Sequence, residues 1–471
     1  MTGRAARLAL AGACAGVLVV GPPRGTSAAF TAQLAVAGNG VTADKLGNYF
    51  QVTPGSAVQP GTSTPIATGG VDTLALAFGL VPSARTFASV FTVKNVSTQA
   101  QTAVLTASGP AQISSLVFAS SGTTSATLAP GAFTTVTATT SATVAGRGTG
   151  TLRLALSGVG WLYREYAVSI DEAPEAPPTL TAAARAGGRI DVAWTASSTT
   201  TNFAGYDVYR ANGGGGYAKL NGGLLTGTTY SDTATADGTI YAYVVRAVSS
   251  GSPTLTSVDS PTATATADAT PPGRPTAITL ANGGGAGGAY VNAANSGNLS
   301  VSVGLPAGSA ASDTVQITLA NGGGSIVKTT SGSAGAGTVT LGGINASSLA
   351  EGSFTITAIS TDAAGNVSSS RVATFTKDTI APAAPTGVYT DVKQTVGADT
   401  ISGTAEGGAA IRAQQTQGGS GTYGPVTATG GSYTLAVLNA KSLTVAYKVT
   451  ATDVAGNVGA ATTVGPIADA K

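Results

Sequence analysis

The sequence predicts an all-β protein, a tandem array of four antiparallel β-sandwiches behind an N-terminal export leader. Three observations carry this. Apolar and polar residues alternate in short runs broken by Gly, Pro and Ser, the period-two pattern of half-buried strands. Thr, Val, Ala, Ser and Gly dominate, residues that suit strands and tight turns rather than helices. One loop wording also recurs, as TDAAGNV at Thr361–Val367 and TDVAGNV at Thr452–Val458. A Pro-rich hinge, KDTIAPAAP at Lys377–Pro385, follows its first copy. A strand, hinge and strand that repeat describe domains in series, and 471 residues are enough for three to five of them.

Charge narrows the function classes. Charged residues make up 9% of the chain, against an ordinary value of about 25%. That excludes charge-driven disorder and a basic stripe, and with the stripe it excludes a nucleic-acid or anionic-membrane surface. There is no histidine, and Cys14 is the one cysteine. Histidine-based triads, cysteine nucleophiles and the usual zinc cages are therefore ruled out. A carboxylate pair for glycoside hydrolysis is formally available, but the acids are scattered, and Asp171, Glu172 and Glu175 fall in what reads as a linker. Runs such as Gly213–Gly216 lack a GK[ST] ending and read as hairpin tips. The chain is expected not to be an enzyme.

Residues 1–29 read as a secretory signal peptide. Arg4 and Arg7 give the basic start, Leu8–Val20 the apolar core, and Ser27, Ala28 and Ala29 a cleavage site. Cys14 sits inside that core, which disfavours a lipoprotein acceptor. The mature chain is expected to be secreted or held at the cell surface, with no membrane span. Residues 30–70 have few apolar anchors and many turn formers and read as a poorly ordered lead-in. The AFT start faintly resembles the mature N-termini of secreted matrix-fibre subunits.

The first sandwich is expected over residues 71–172. Leu74, Leu76 and Phe78 alternate, as do Leu152, Leu154 and Leu156, and Tyr166, Val168 and Ile170. LALAFGLVPSARTFASVFTVKNVS with LAPGAFTTVTA resembles a Hydin-type immunoglobulin-like domain, marked by Phe78-Gly79, Asn95 and the Pro130-Gly131 turn. Residues 177–267 come next. IDVAW, GYDVYR and TIYAYVVRAV resemble a fibronectin type III domain in the right order. The resemblance makes Trp194 the core tryptophan and Tyr241 the corner tyrosine. Phase places Trp194, Tyr206, Tyr241 and Tyr243 inside and Tyr209 outside, which favours packing over a sugar platform.

Residues 276–377 and 385–467 form the third and fourth sandwiches, each closing on the DxAGNV loop. Both resemble the immunoglobulin-like repeats of large bacterial surface proteins and adhesins. The loop lies before the last strand, at the domain's N-terminal pole, and the strand's end lies at the opposite pole. Asp362 and Asp378, 16 residues apart, are then tens of ångströms apart at about 3.3 Å per residue. Asp268 should instead face Asp362 and Asn366, and Asp378 should face Asp453 and Asn457. One reading of these clusters is local capping at a hinge. The other is calcium, which takes six to eight oxygens and which the adhesin resemblance implies at such joints. Asn95, Asn298, Asn345 and Asn366 head N-x-S tripeptides, read as chance matches.

The functional expectation is a non-catalytic surface or matrix protein acting as spacer, adhesin or scaffold, with cell-surface or matrix polymers as partners. The alternative is an accessory polysaccharide-binding protein of secreted carbohydrate-processing machinery. An exposed coplanar aromatic strip would favour the second.

Overall fold

A computed structural model describes residues 33–36, 39–42, 46–70, 74–159, 162–322, 324–391, 398–437 and 443–468. The leader predicted over residues 1–29 lies outside them. The described chain is almost wholly β, folded as four two-sheet sandwiches. It separates into two compact units. One holds the described residues of Met1–Ala183 with Ile190–Ala234 and Thr239–Thr266; the other holds Ala267–Lys471 with the turns Ala184–Arg189 and Thr235–Gly238.

In the first unit, the leading sandwich packs a four-stranded sheet against a six-stranded one. Tyr163–Glu172 lies at the centre of the larger sheet, antiparallel to Gly146–Leu156 and parallel to Ala75–Val81. The alternation read from sequence lands as expected: Leu76, Phe78, Leu152, Leu154, Tyr166 and Val168 all enter one core. Two expectations fail here. Residues 46–70 are not a loose lead-in. Phe50–Pro54 pairs antiparallel with Thr86–Asn95, and Leu46, Phe50, Val52 and Ile66 are buried in the same core. Their alternation is only two or three residues long, too short to stand out among so many turn formers. Nor are Asp171 and Glu172 linker residues. They end the Tyr163–Glu172 strand, and Glu172 is fully buried.

The next sandwich pairs the sheet Leu180–Ala184, Ile190–Trp194, Thr229–Asp232 with the sheet Ala218–Lys219, Phe203–Asn212, Ile240–Ser249, Ala263–Thr266. Trp194 packs edge-on to Tyr206 at 5.4 Å, and Tyr206 edge-on to Phe203 at 5.0 Å. The Tyr206 hydroxyl accepts the Ser197 N–H at 2.8 Å, fixing the loop that follows Trp194. Tyr241 is buried with the Arg210 guanidinium 4.7 Å over its ring. Two residues along the strand, Tyr243 donates its hydroxyl to Asp232 at 2.9 Å, and Arg210 ion-pairs with the same carboxylate at 2.8 Å. Burial, then the Asp232 carboxylate, pushes the Tyr243 phenol far above its ordinary value.

The second unit contains two sandwiches of one design. Ala277–Leu280, Leu299–Leu305 and Gly337–Ile344 face a five-stranded sheet centred on Gly352–Thr361. Val388–Thr390, Asp399–Thr404 and Ser432–Val437 face a four-stranded sheet containing Thr444–Thr452. Phe354 and Ile356 fill the first core, Leu435 and Tyr447 the second.

Candidate functional site at the domain joints

The polar residues singled out from the sequence gather where one sandwich hands over to the next. In the second unit, Asp362 follows the strand Gly352–Thr361, while Asp378 follows Lys377, which pairs with Gly352 at that strand's far end. The two aspartates therefore occupy opposite poles. Asp362 lies instead with Asn366 and Asp268, and Asp453 with Asn457 and Asp378.

Each DxAGN loop first folds on itself. Gly365 and Gly456 sit at φ +96° and +93°, where a side chain would be strained. That turn brings the asparagine back over the aspartate. Asp362 Oδ1 accepts the Gly365 and Asn366 main-chain N–H groups, each at 2.8 Å, and Asp453 Oδ1 accepts that of Asn457 at 2.8 Å. The asparagine amide then bridges outward. Asn366 Nδ2 donates to Asp362 Oδ2 at 2.9 Å and to the Asp268 carbonyl at 3.1 Å, while its Oδ1 accepts the Gly187 N–H at 2.8 Å. Asn457 Nδ2 donates to Asp453 Oδ2 and to the Asp378 carbonyl, both at 2.8 Å, and its Oδ1 accepts the Ala293 N–H at 2.8 Å. Asn366 and Asn457 are each only 5% exposed, so every bond replaces one that water cannot supply.

The remaining aspartates serve their own linker. Asp268 Oδ1 accepts the Thr270 N–H at 3.1 Å, and Asp378 Oδ1 accepts that of Ile380 at 3.2 Å. Asp237 accepts the Ala269 N–H and the Thr270 hydroxyl, and those donors hold its carboxyl below its ordinary value.

This donor set does not fit calcium. No cluster of three or more His, Cys, Asp and Glu that could hold a metal occurs among the described residues. The NH₂ group of each asparagine points at the aspartate oxygen and linker carbonyl that a cation would need. Rotating the amide would set its oxygen against a carboxylate and its NH₂ against a main-chain N–H, so the orientation is fixed by its partners.

In the first unit two tyrosine faces lie under arginine. Tyr209 is half-buried, its face covered by the Arg246 guanidinium at 4.3 Å, and the Tyr163 face by Arg153 at 3.4 Å. An open cleft of about 440 Å³ in the first sandwich is lined by Gln59, Pro60, Gly61, Thr62, Leu80, Pro82 and Arg85, with no aromatic ring. Asn95 and Asn366 are buried and fully engaged, so neither tripeptide they head offers a glycan acceptor. No described helix is long and apolar enough to cross a membrane.

Sequence reasoning missed a third set of contacts, inside the first unit. Glu175 Oε1 accepts the Ala84 N–H, and its main-chain N–H donates to Thr199 Oγ1 at 2.9 Å. The Ala142 carbonyl accepts the Ser198 and Thr199 hydroxyls at 3.2 Å, and Asn202 Nδ2 donates to the Ala145 carbonyl at 2.9 Å. Asn202 sits at φ +59°, a region that asparagine tolerates better than most non-glycine residues.

A family model described as a bacterial Ig-like domain matches residues 305–379. Over 75 residues the chain is 40% identical to exoglucanase B of Cellulomonas fimi, and over 76 residues 34% identical to amylopullulanase of Thermoanaerobacterium saccharolyticum. Each alignment takes 16% of this chain and 6% of the relative, so the chain spans only a small part of either. Among solved structures, a bacterial ice-binding adhesin is 22% identical, covering 62% of this chain and 97% of its own, with a TM-score of 0.25. The described chain is an all-β protein of tandem β-sandwiches, and residues 305–379, within the third of them, match the bacterial Ig-like domain.

Proposed function

We propose that this protein is a non-catalytic, exported spacer or scaffold, bearing on cell-surface or matrix polymers and serving adhesion or spacing outside the cell. The observation that carries the reading is the fate of the polar loops. In a binding module, loops at a sandwich pole stay open to ligand; here Asn366 and Asn457 are spent on the neighbouring chain segments. The leader-like residues 1–29 support an exported protein.

A second reading, an accessory polysaccharide-binding role, draws support from the short likeness to two proteins named for carbohydrate chemistry. The arginine-covered tyrosines weigh against it. Fractionating the producing cells, then presenting the purified chain to cellulose, starch, chitin and cell-wall preparations, separates the two. Recovery outside the cytosol, with no retention on the pure polysaccharides, is expected. Retention on one of them, abolished by Tyr163→Ala or Tyr209→Ala, favours the accessory role, and a cytosolic location sinks both.

A further inference from the structure

We infer that the DxAGN loop is a coupling clamp that recognises the main chain of whatever turn precedes it, and that it works without a cation. The inference rests on geometry alone and stands even if the chain proves to bind polysaccharide. Its basis is one bonding pattern made twice against two different turns. In one case the partner is the 3₁₀ turn Ala186–Gly188, reading AGG. In the other it is the turn at 292–295, reading NAAN, which precedes the strand Leu299–Leu305.

The donating residues differ, Gly187 in one turn and Ala293 in the other, yet each gives one N–H to the asparagine oxygen at 2.8 Å. In both cases the second partner is the carbonyl of the aspartate that leaves the preceding sandwich, Asp268 or Asp378. Contacts beyond this shared set differ. Asn292 Nδ2 donates to the Ala455 carbonyl at 2.9 Å, whereas Asn366 Nδ2 adds a 3.2 Å bond to Asp268 Oδ1. The common part is thus blind to upstream side chains. A partner qualifies by presenting one unpaired N–H beside one strand-end carbonyl, groups that every non-proline residue carries. Such a clamp lets fibronectin type III and immunoglobulin-like units serve as interchangeable upstream neighbours.

Close approach at the Asn457 joint is supplied by glycine in the upstream sandwich. A Cβ on Gly284 would lie 2.5 Å from the Ala455 carbonyl oxygen, and one on Gly285 would lie 2.4 Å from that of Val454. At the asparagine itself, aspartate is the informative replacement: it keeps the shape and the acceptor but loses both donors and sets a charge against Asp453.

The test is hydrogen exchange on the full chain, read by mass spectrometry at residues 292–298 and 378–386. Losing the clamp's hydrogen bonds to the neighbouring main chain should speed exchange there roughly tenfold in Asn457→Ala. Asn457→Asp should do so at least as strongly. Ala293→Ser, which changes a side chain but keeps the N–H, should match wild type, as should the exposed control Val458→Ala. Wild type with EDTA, and wild type with added Ca²⁺, should exchange alike. If EDTA raises wild-type exchange to the Asn457→Ala level, the joint is held by a cation. Unchanged exchange in both Asn457 variants overturns the clamp, and an Ala293→Ser effect as large as Asn457→Ala overturns main-chain recognition.

Discussion

Glu172 makes a pH-dependent prediction whose size follows from its surroundings. Its carboxyl is fully buried at the end of the Tyr163–Glu172 strand. Oε1 accepts the Thr140 hydroxyl at 3.4 Å, and Oε2 has no hydrogen-bond partner among the described residues. Burial, and then the nearby Glu175 carboxylate, pushes its pKa up to about 8, with Thr140 and Arg85 pulling weakly the other way. Unfolded, the group titrates near 4.5. Between these values the native state keeps a proton that the unfolded chain has released. Stability therefore falls as pH rises from about 4.5 to about 8 and levels off above. The full displacement corresponds to about 5 kcal/mol at 1.36 kcal/mol per tenfold, and relaxation around the charge reduces this to about 2–5 kcal/mol.

Glu172→Gln keeps the shape and abolishes the charge. Whatever the amide costs in lost or gained hydrogen bonds is independent of pH, so the difference between two pH values isolates ionisation. Hydrogen exchange in peptides spanning Tyr163–Glu172, compared between variant and wild type at the same pH, removes the intrinsic pH dependence of exchange. Relative to its value at pH 5, the protection ratio of variant to wild type should rise about 30-fold or more at pH 9, the equivalent of about 2 kcal/mol. An equal ratio at both pH values would refute the reasoning, because Glu172 would then ionise as freely in the fold as in the unfolded chain.

Two further outcomes test the architecture. Phe50→Ala should destabilise the leading sandwich by about 3–5 kcal/mol, seen as a lower temperature for one calorimetric transition of the full chain, because Phe50 is wholly buried; a loose lead-in would give no shift. Gly285→Ala places a Cβ at φ +73° and 2.4 Å from the Val454 oxygen, so it should speed exchange in the 453–459 loop while leaving the Leu299–Leu305 strand protected.

Strand alternation is a local property, and so the sequence by itself determined that the chain is all-β and where most strands lie. Phe354 with Ile356, and Tyr166 with Val168, are buried because period two puts them on one face whatever the partner sheet. Even the opposite placing of Asp362 and Asp378 was readable, since an extended strand between them leaves no other choice.

What decided the rest was contact between segments distant in sequence. Leu46, Phe50 and Ile66 carry too short a pattern to announce themselves, and only the facing strand Thr86–Asn95 shows that they belong to a core. Asp171, Glu172 and Glu175 look like solvated linker acids until the fold buries one and sets another against Ala84. The clusters at Asp362 and Asp453 are the sharpest case. Asp and Asn oxygens in sequence are equally good capping groups or calcium ligands. The choice between them turns on which way an amide points, and that is fixed by two main-chain N–H groups, Gly187 and Ala293, each more than 160 residues away.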